Sequence, residues 1–137
     1  MLSNITKDSD MQNATLEHLN ITVSDPDATA AWMERVFDWH VRWSGAAISD
    51  GYSVHVGGDD SYVALYSPGA PAQAKESSYG HVGGFNHLAV VVDDLDMTER
   101  RVEAEGFTPR SHADYEPGRR FYFSDGDGIE IEVVSYA

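Results

Sequence analysis

Two stretches of the chain are near copies of each other: LEHLNITVSDPD at residues 16–27 and FNHLAVVVDDLD at residues 85–96. When they are aligned at an offset of 69 positions, His18 falls on His87, and a leucine, a valine and two aspartates also match. Each copy is an alternating, strand-like run that ends in an Asp-rich cap and leads into a helical pattern. Such internal repetition predicts two copies of one structural unit.

Each copy is followed by signals for a helix, a short strand and a β-hairpin. Capping aspartates and apolar residues at helical spacing mark the helices. Alternating segments then flank Gly- and Asp-rich turns at residues 57–60 and 125–128. A further short strand is expected near residues 41–48 and another near residues 108–112. Each half is therefore predicted to be a βαβββ module, which makes the fold class α+β.

The chain of 137 residues is long enough for one domain and too short for two ordinary ones. A segment rich in Pro, Gly, Ala and Ser separates the two modules and is typical of a linker. The predicted divisions are a flexible N-terminal arm at residues 1–14 and a single domain at residues 15–137, with module 1 at about 15–67, the linker at about 68–83 and module 2 at about 84–137.

Composition and charge exclude several classes of partner. With 23 Asp and Glu against 9 Lys and Arg, the formal charge is -14, and counterion release cannot drive binding to nucleic acid. No apolar run approaches the roughly 18 to 20 residues of a membrane helix, and the polar start lacks a signal-peptide pattern. A cytoplasmic protein without a membrane partner is expected. Because cysteine is absent, any metal ion must be bound by histidines and carboxylates.

Strand alternation places two histidines and two carboxylates on the face opposite the expected core. In the repeated strands the aliphatic residues share one face, which leaves His18 and His87 on the other. In the last strand the aliphatic residues likewise share one face, which puts Glu130 and Glu132 on the same face as the histidines. Either carboxylate is a candidate ligand. The two imidazoles converge if the modules pair about a pseudo-twofold axis. Two imidazoles and one carboxylate then form a facial triad for a divalent first-row metal.

Three motifs carry a resemblance to a known family: LEHL at residues 16–19, FNHLAV at residues 85–90 and FSDGDGIEIE at residues 123–132. With them the chain resembles the vicinal oxygen chelate superfamily, also called the glyoxalase/bleomycin resistance/dioxygenase group, over nearly its whole length. The resemblance implies a curved-sheet fold of two βαβββ modules around a metal site. It also selects Glu132, seven residues after the first Asp of the third motif, as the carboxylate ligand.

The ligand set implied by the resemblance is His18, His87 and Glu132, which would hold Fe(II) or Mn(II), with Zn, Ni or Co also possible. Glyoxalase I has a fourth ligand in the last strand of its first half, where this chain has Ala64. An alanine cannot bind metal, which counts against a glyoxalase-type isomerase. The chain also lacks a counterpart of the potassium loop of fosfomycin thiol transferases, so the comparison with extradiol dioxygenases is favoured.

The comparison with ring-cleaving relatives also implies catalytic residues. Tyr122 stands in a Phe-Tyr pair ten residues before Glu132, where these relatives carry a tyrosine. His112 nearly matches a further histidine of theirs, and His112 or His55 would transfer a proton. Aromatic candidates for the wall of the substrate cavity are Tyr62, Tyr66, Phe85 and Trp43.

These expectations predict a metal-dependent enzyme with dioxygenase-like chemistry on a small diol or enediol that chelates the metal. Two alternatives stay open: a glyoxalase-type isomerase or lyase with an incomplete ligand set, and a non-catalytic protein that binds a small molecule such as a drug. A homodimer is expected, because relatives often pair so that a site draws on both chains. Whether His18 meets His87 and Glu132 within one chain or across two stays open.

Overall fold

Two four-stranded sheets, each with one helix, make up the computed structural model, which describes residues 13–74, 78–115 and 118–137. Module 1 contains β1 (His18–Thr22), α1 (Pro26–Phe37), β2 (His40–Ala47), β3 (Gly51–Gly57) and β4 (Tyr62–Ser67). Module 2 contains β5 (Leu88–Val91), α2 (Leu95–Ala104), β6 (Arg110–Tyr115), β7 (Gly118–Ser124) and β8 (Glu130–Ser135).

The two sheets have the same topology. Their strand orders are β1-β4-β3-β2 and β5-β8-β7-β6. The first strand of each module pairs in parallel with the last, and the remaining pairs are antiparallel. The predicted α+β fold of two βαβββ modules is therefore confirmed. The predicted N-terminal arm lies outside the described residues up to residue 12, as do residues 75–77 of the predicted linker.

Both helices begin at the aspartates that the repeat predicts as caps. The Asp25 carboxylate accepts a hydrogen bond from the backbone N–H of Ala28 at 3.1 Å, and Asp94 accepts one from Met97 at 3.0 Å. Each bond satisfies a donor that the first turn of a helix leaves without a partner. The helices therefore begin at equivalent points of the two modules.

The helix-facing sides of the two sheets share one hydrophobic core. Trp32 of α1 reaches across to module 2, where its ring packs edge-on against Phe107 at 5.2 Å and Phe123 at 5.7 Å. Arg35 of α1 also forms two hydrogen bonds of 2.7 Å with the Glu105 carboxylate after α2. Because this side of each sheet is buried, the opposite side, which we call the site face, carries the polar residues of β1, β3, β7 and β8. No helix in the described ranges is long and apolar enough to cross a membrane.

Candidate metal centre

The site face of module 1 carries a cluster of neighbouring aromatic rings. His18 pairs with Tyr62 across β1 and β4, and their rings stack with centroids 4.8 Å apart. His55 stacks on Tyr62 at 4.6 Å, and Trp43 lies against His55 at 4.9 Å. Burial, together with the nearby His18, holds the pKa of His55 below its usual range. These four residues, all predicted from the sequence as site residues, are called half-site 1.

Glu17 contacts the His18 ring at its Nδ1 atom. The carboxylate Oε1 lies 2.9 Å from Nδ1, and this hydrogen bond lowers the pKa of Glu17. Donation from Nδ1–H leaves Nε2 with the lone pair that a metal ion requires. The His18 side chain is 43% exposed, so the ring is accessible from outside the chain.

His87 and Glu132 meet on the site face of module 2. Nε2 of His87 lies 3.1 Å from Oε1 of Glu132. Tyr122 pairs with Glu132 across β7 and β8, and its ring meets the His87 ring edge-on with centroids 5.5 Å apart. Tyr122 thus lies beside two predicted ligands, where strand alternation puts it. These three residues are called half-site 2.

The donor atoms of half-site 2 fit a divalent metal ion. Two ligands bonded to one ion at about 2.1 Å and at a right angle lie about 3 Å apart. The separation of 3.1 Å between His87 Nε2 and Glu132 Oε1 matches that value. The other carboxylate oxygen of Glu132 accepts a hydrogen bond from Arg120 Nη1 at 2.9 Å. Arg120 therefore offsets the charge of a carboxylate that is only 7% exposed and leaves Oε1 toward His87.

A second carboxylate, Glu130, lies on the other side of His87. Its Oε1 accepts a hydrogen bond from the hydroxyl of Tyr79, and its Oε2 accepts one from Arg110 Nη2 at 3.1 Å. The Tyr79 bond is the main cause of the lowered pKa of Glu130. Sequence reasoning missed Tyr79, Arg110 and Arg120. Alternation from Tyr122 along β7 indicates Arg120, but no signal in the linker indicates Tyr79.

His112 lies away from the other site residues. Its Nε2 is 3.1 Å from the Glu99 carboxylate of α2, and its ring stacks on the buried Phe121 at 5.9 Å, so it faces the helix side of the sheet. The cause is a bulge in β6, where Ser111 takes a φ of 56°. The extra residue reverses the alternation after Arg110, so His112 faces the side of the sheet opposite to Tyr122.

The remaining wall candidates lie in different places. Tyr66 follows half-site 1 along β4, and its hydroxyl donates to the Ile48 carbonyl at 2.9 Å. Phe85 is 72% exposed and precedes β5. It lines a groove of about 1120 Å³ between β1 and β5, together with His87 and Glu130. Both strands are edge strands of their sheets.

The single chain brings together two of the three predicted ligands. His87 and Glu132 are neighbours in module 2, whereas His18 has Glu17 and Tyr62 of module 1 as its neighbours. Among the described residues, no three His, Asp or Glu side chains converge closely enough to hold a metal ion. Within one chain, the predicted triad is thus divided between the two half-sites.

Comparison with known proteins agrees with this fold. The model of the Glyoxalase/Bleomycin resistance protein/Dioxygenase superfamily matches residues 15–133. No curated protein matches the chain. The glyoxylase/bleomycin resistance protein/dioxygenase domain from Frankia sp. EAN1pec is 21% identical, with a TM-score of 0.75 over 90% of this chain and 98% of that one.

The fosfomycin resistance protein FosX from Listeria monocytogenes is also similar. In its complex with Mn(II) and sulfate it is 21% identical, with a TM-score of 0.68 over 90% of this chain and 93% of that one. A mutant form of FosX, complexed with Mn(II) and 1S,2S-dihydroxypropylphosphonic acid, is 20% identical with a TM-score of 0.70 and the same coverage. At these identities, the structural likenesses show a common fold.

Proposed function

Because the chain belongs to the glyoxalase/bleomycin resistance protein/dioxygenase superfamily, we propose that it is a metal-dependent enzyme. Its substrate is a small molecule that binds the metal through two neighbouring oxygen atoms. The observation that carries the proposal is the 3.1 Å separation of His87 Nε2 and Glu132 Oε1, which suits two ligands of one ion. The third ligand is His18, whose Nδ1 is held by Glu17.

The donor set is suited to a divalent first-row metal. Imidazole and carboxylate ligands suit Fe(II) or Mn(II), and Zn, Ni or Co can occupy such a site as well. The Mn(II) complex of FosX, a protein of the same fold, supports manganese as a candidate. When bound, the metal supplies a Lewis acid and a template that orients the substrate.

A homodimer completes the site, with His18 of one chain joining His87 and Glu132 of the partner. Two observations support this arrangement. The core lies between the helix sides of both sheets, so the site faces of one chain are not covered by that core and can face a second chain. The edge strands β1 and β5 also line an open groove, and strand edges are surfaces on which a second chain can pack.

Residues of the two half-sites then have separate roles toward the substrate. Tyr122, beside His87, is placed to hydrogen-bond a substrate oxygen. His55, beside His18, is placed to accept a proton, because its lowered pKa favours the neutral imidazole. Trp43, Tyr62 and Tyr66 form an aromatic wall on the same face, and Phe85 extends it from the groove of the other module. Such a wall suits a substrate with an apolar ring or chain, and dioxygenase-like chemistry on a diol or enediol of this kind is our first candidate.

A second candidate is a metal-assisted reaction that consumes no oxygen. It is favoured by the position of His112, which faces Glu99 of α2 and is absent from the side where ring-cleaving chemistry would use it. The FosX complex with Mn(II) and a dihydroxypropylphosphonic acid provides an example of a vicinal diol bound by a protein of this fold. Oxygen uptake during turnover distinguishes the two candidates.

The test is elemental analysis of protein purified without a metal-affinity tag, with His18→Ala, His87→Ala and Glu132→Ala. We expect about one metal ion per chain in the wild type and loss of it in all three variants. The exposed His40 lies outside both half-sites, so His40→Ala is the matched control and should retain the metal. A wild type without bound metal, or a metal content that the three substitutions do not change, contradicts the proposal. Screening catechols and enediols for oxygen uptake then separates the two reactions.

A further inference from the structure

Tyr79 links the segment before β5 to the candidate metal centre. Its hydroxyl donates a hydrogen bond to Oε1 of Glu130 and lies 3.4 Å from Nδ1 of His87. Oε1 of Glu130 is itself 3.7 Å from the same Nδ1 atom. The other oxygen of Glu130 is occupied by Arg110 Nη2 at 3.1 Å. Nδ1 of His87 therefore faces the Tyr79 oxygen and, behind it, the Glu130 carboxylate, whose two oxygens accept hydrogen bonds from Tyr79 and Arg110.

Both ring nitrogens of His87 face acceptor atoms. The Tyr79 hydroxyl proton points to Glu130, so its oxygen can only accept a hydrogen bond from Nδ1 of His87. Nε2 faces Glu132 Oε1 at 3.1 Å, and a proton or a cation must lie between these two atoms because two acceptors repel each other. When Nε2 binds a metal ion through its lone pair, the ring hydrogen is on Nδ1, where the Tyr79 oxygen can accept it.

His18 shows the same arrangement in module 1. There the Nδ1 atom faces the Glu17 carboxylate at 2.9 Å, and the other ring nitrogen is left for a metal. The carboxylate partner comes from the preceding residue in one module and from β8 in the other. Different carboxylates thus lie beside Nδ1 of the two equivalent histidines, and in both modules Nε2 is the nitrogen left for a metal.

We infer that Tyr79 and Glu130 are positioning residues, which accept the hydrogen on Nδ1 of His87 when Nε2 binds the metal and so hold the ring in the orientation that a ligand requires. The inference rests on the proposed function only in taking His87 as a metal ligand. Partners that fix the far nitrogen of a ligating histidine raise its affinity for metal, and their loss costs about ten- to a hundredfold. The inference also gives the segment before β5 a role at the site that its Gly- and Ser-rich sequence does not suggest.

The experiment measures the Nδ1 hydrogen of His87 and the metal affinity separately. Long-range ¹H–¹⁵N spectra of the full-length protein loaded with Zn(II), a diamagnetic ion, report the Nδ1–H group of His87 and the rate at which its hydrogen exchanges with solvent. His87→Gln assigns the His87 signals. In Tyr79→Phe with Glu130→Ala, which removes both acceptors, we expect this hydrogen to exchange faster than in the wild type, and Mn(II) binding should weaken about ten- to a hundredfold.

Tyr52→Phe is the matched control. It removes an equivalent bond, from the Tyr52 hydroxyl to the Asp27 carboxylate at 2.8 Å, away from both half-sites. It should change neither the exchange of the His87 Nδ1 hydrogen nor the affinity for Mn(II). Tyr79→Phe alone removes an exposed side chain's hydroxyl and should weaken Mn(II) binding part of the way. Equal exchange rates of the Nδ1 hydrogen in the wild type and the double variant would overturn the inference alone, whereas a wild type that binds neither Zn(II) nor Mn(II) would overturn the proposed function and the inference with it.

Discussion

Glu132 is a buried carboxylate whose two oxygens face different partners. Oε1 faces His87, and Oε2 accepts a hydrogen bond from Arg120, whose side chain is itself only 15% exposed. Removing a charged group from water is costly unless a partner of opposite charge accompanies it. Arg120 therefore both stabilises the fold and keeps one oxygen of Glu132 available for a metal.

Loss of Arg120 should be far more destabilising than loss of its neighbour Arg119. Arg120→Met leaves the Glu132 carboxylate buried without its cation, which we expect to lower the free energy of unfolding by about 3 kcal/mol. Arg119 pairs with Asp96 at the surface, where both side chains are about half exposed or more, so Arg119→Met should change the stability much less. Urea denaturation of both variants measures the difference. Equal effects would contradict this account of Glu132.

The strand β6 shows how one element can shift a predicted site residue. Simple alternation puts His112 on the face of Tyr122, but the register passes from Arg110↔Tyr122 to Ala113↔Arg120, so β6 contains one residue more than β7 over this stretch. Ser111 accommodates the extra residue with a positive φ. The sequence does not predict this conformation, because glycine or asparagine is the usual residue at a positive φ. Parity arguments hold for continuous strands and fail where a bulge intervenes.

His112→Ala should therefore leave metal binding intact. His112 contacts Glu99 of α2 and the buried Phe121, and neither belongs to the half-sites. We expect Mn(II) affinity within about twofold of the wild type, together with a loss of stability of about 1 kcal/mol from the broken contact between β6 and α2. Titration with Mn(II) and urea denaturation check the two parts. A loss of affinity as large as that of His87→Ala would place His112 in the site after all.

The contact between α1 and the end of α2 predicts a pH dependence of stability. Two hydrogen bonds from Arg35 hold the pKa of Glu105 below its ordinary value in the folded state. A carboxylate with a lowered folded pKa contributes stability above its unfolded pKa, and that contribution is lost as the pH falls through the folded pKa. Glu105→Gln should therefore destabilise the protein at neutral pH, and the difference from the wild type should shrink in acid. Unfolding free energies across a pH series measure it, and a difference that grows in acid would contradict the assignment.

At the scale of the whole molecule, the repeat explains what could be predicted from the sequence. The matched copies around His18 and His87 indicate two equivalent modules, and alternation along the last strand puts Glu130 and Glu132 on the face of His87, where both are found. Tyr79 could not be predicted, because its segment has neither strand nor helix periodicity and its contact with Glu130 depends on the folded chain. The side on which two modules pack is likewise a property of long-range packing, which no local pattern encodes.

The most direct test of the account is to mix two variants, His18→Ala and Glu132→Ala, each of which should bind no metal alone. If each site combines His18 of one chain with His87 and Glu132 of its partner, a mixed dimer contains one intact site. After unfolding and refolding together, roughly one site in four should regain metal, as measured by elemental analysis. Each variant refolded alone is the control. No regain in the mixture, while refolded wild type binds metal, would contradict a site shared between two chains.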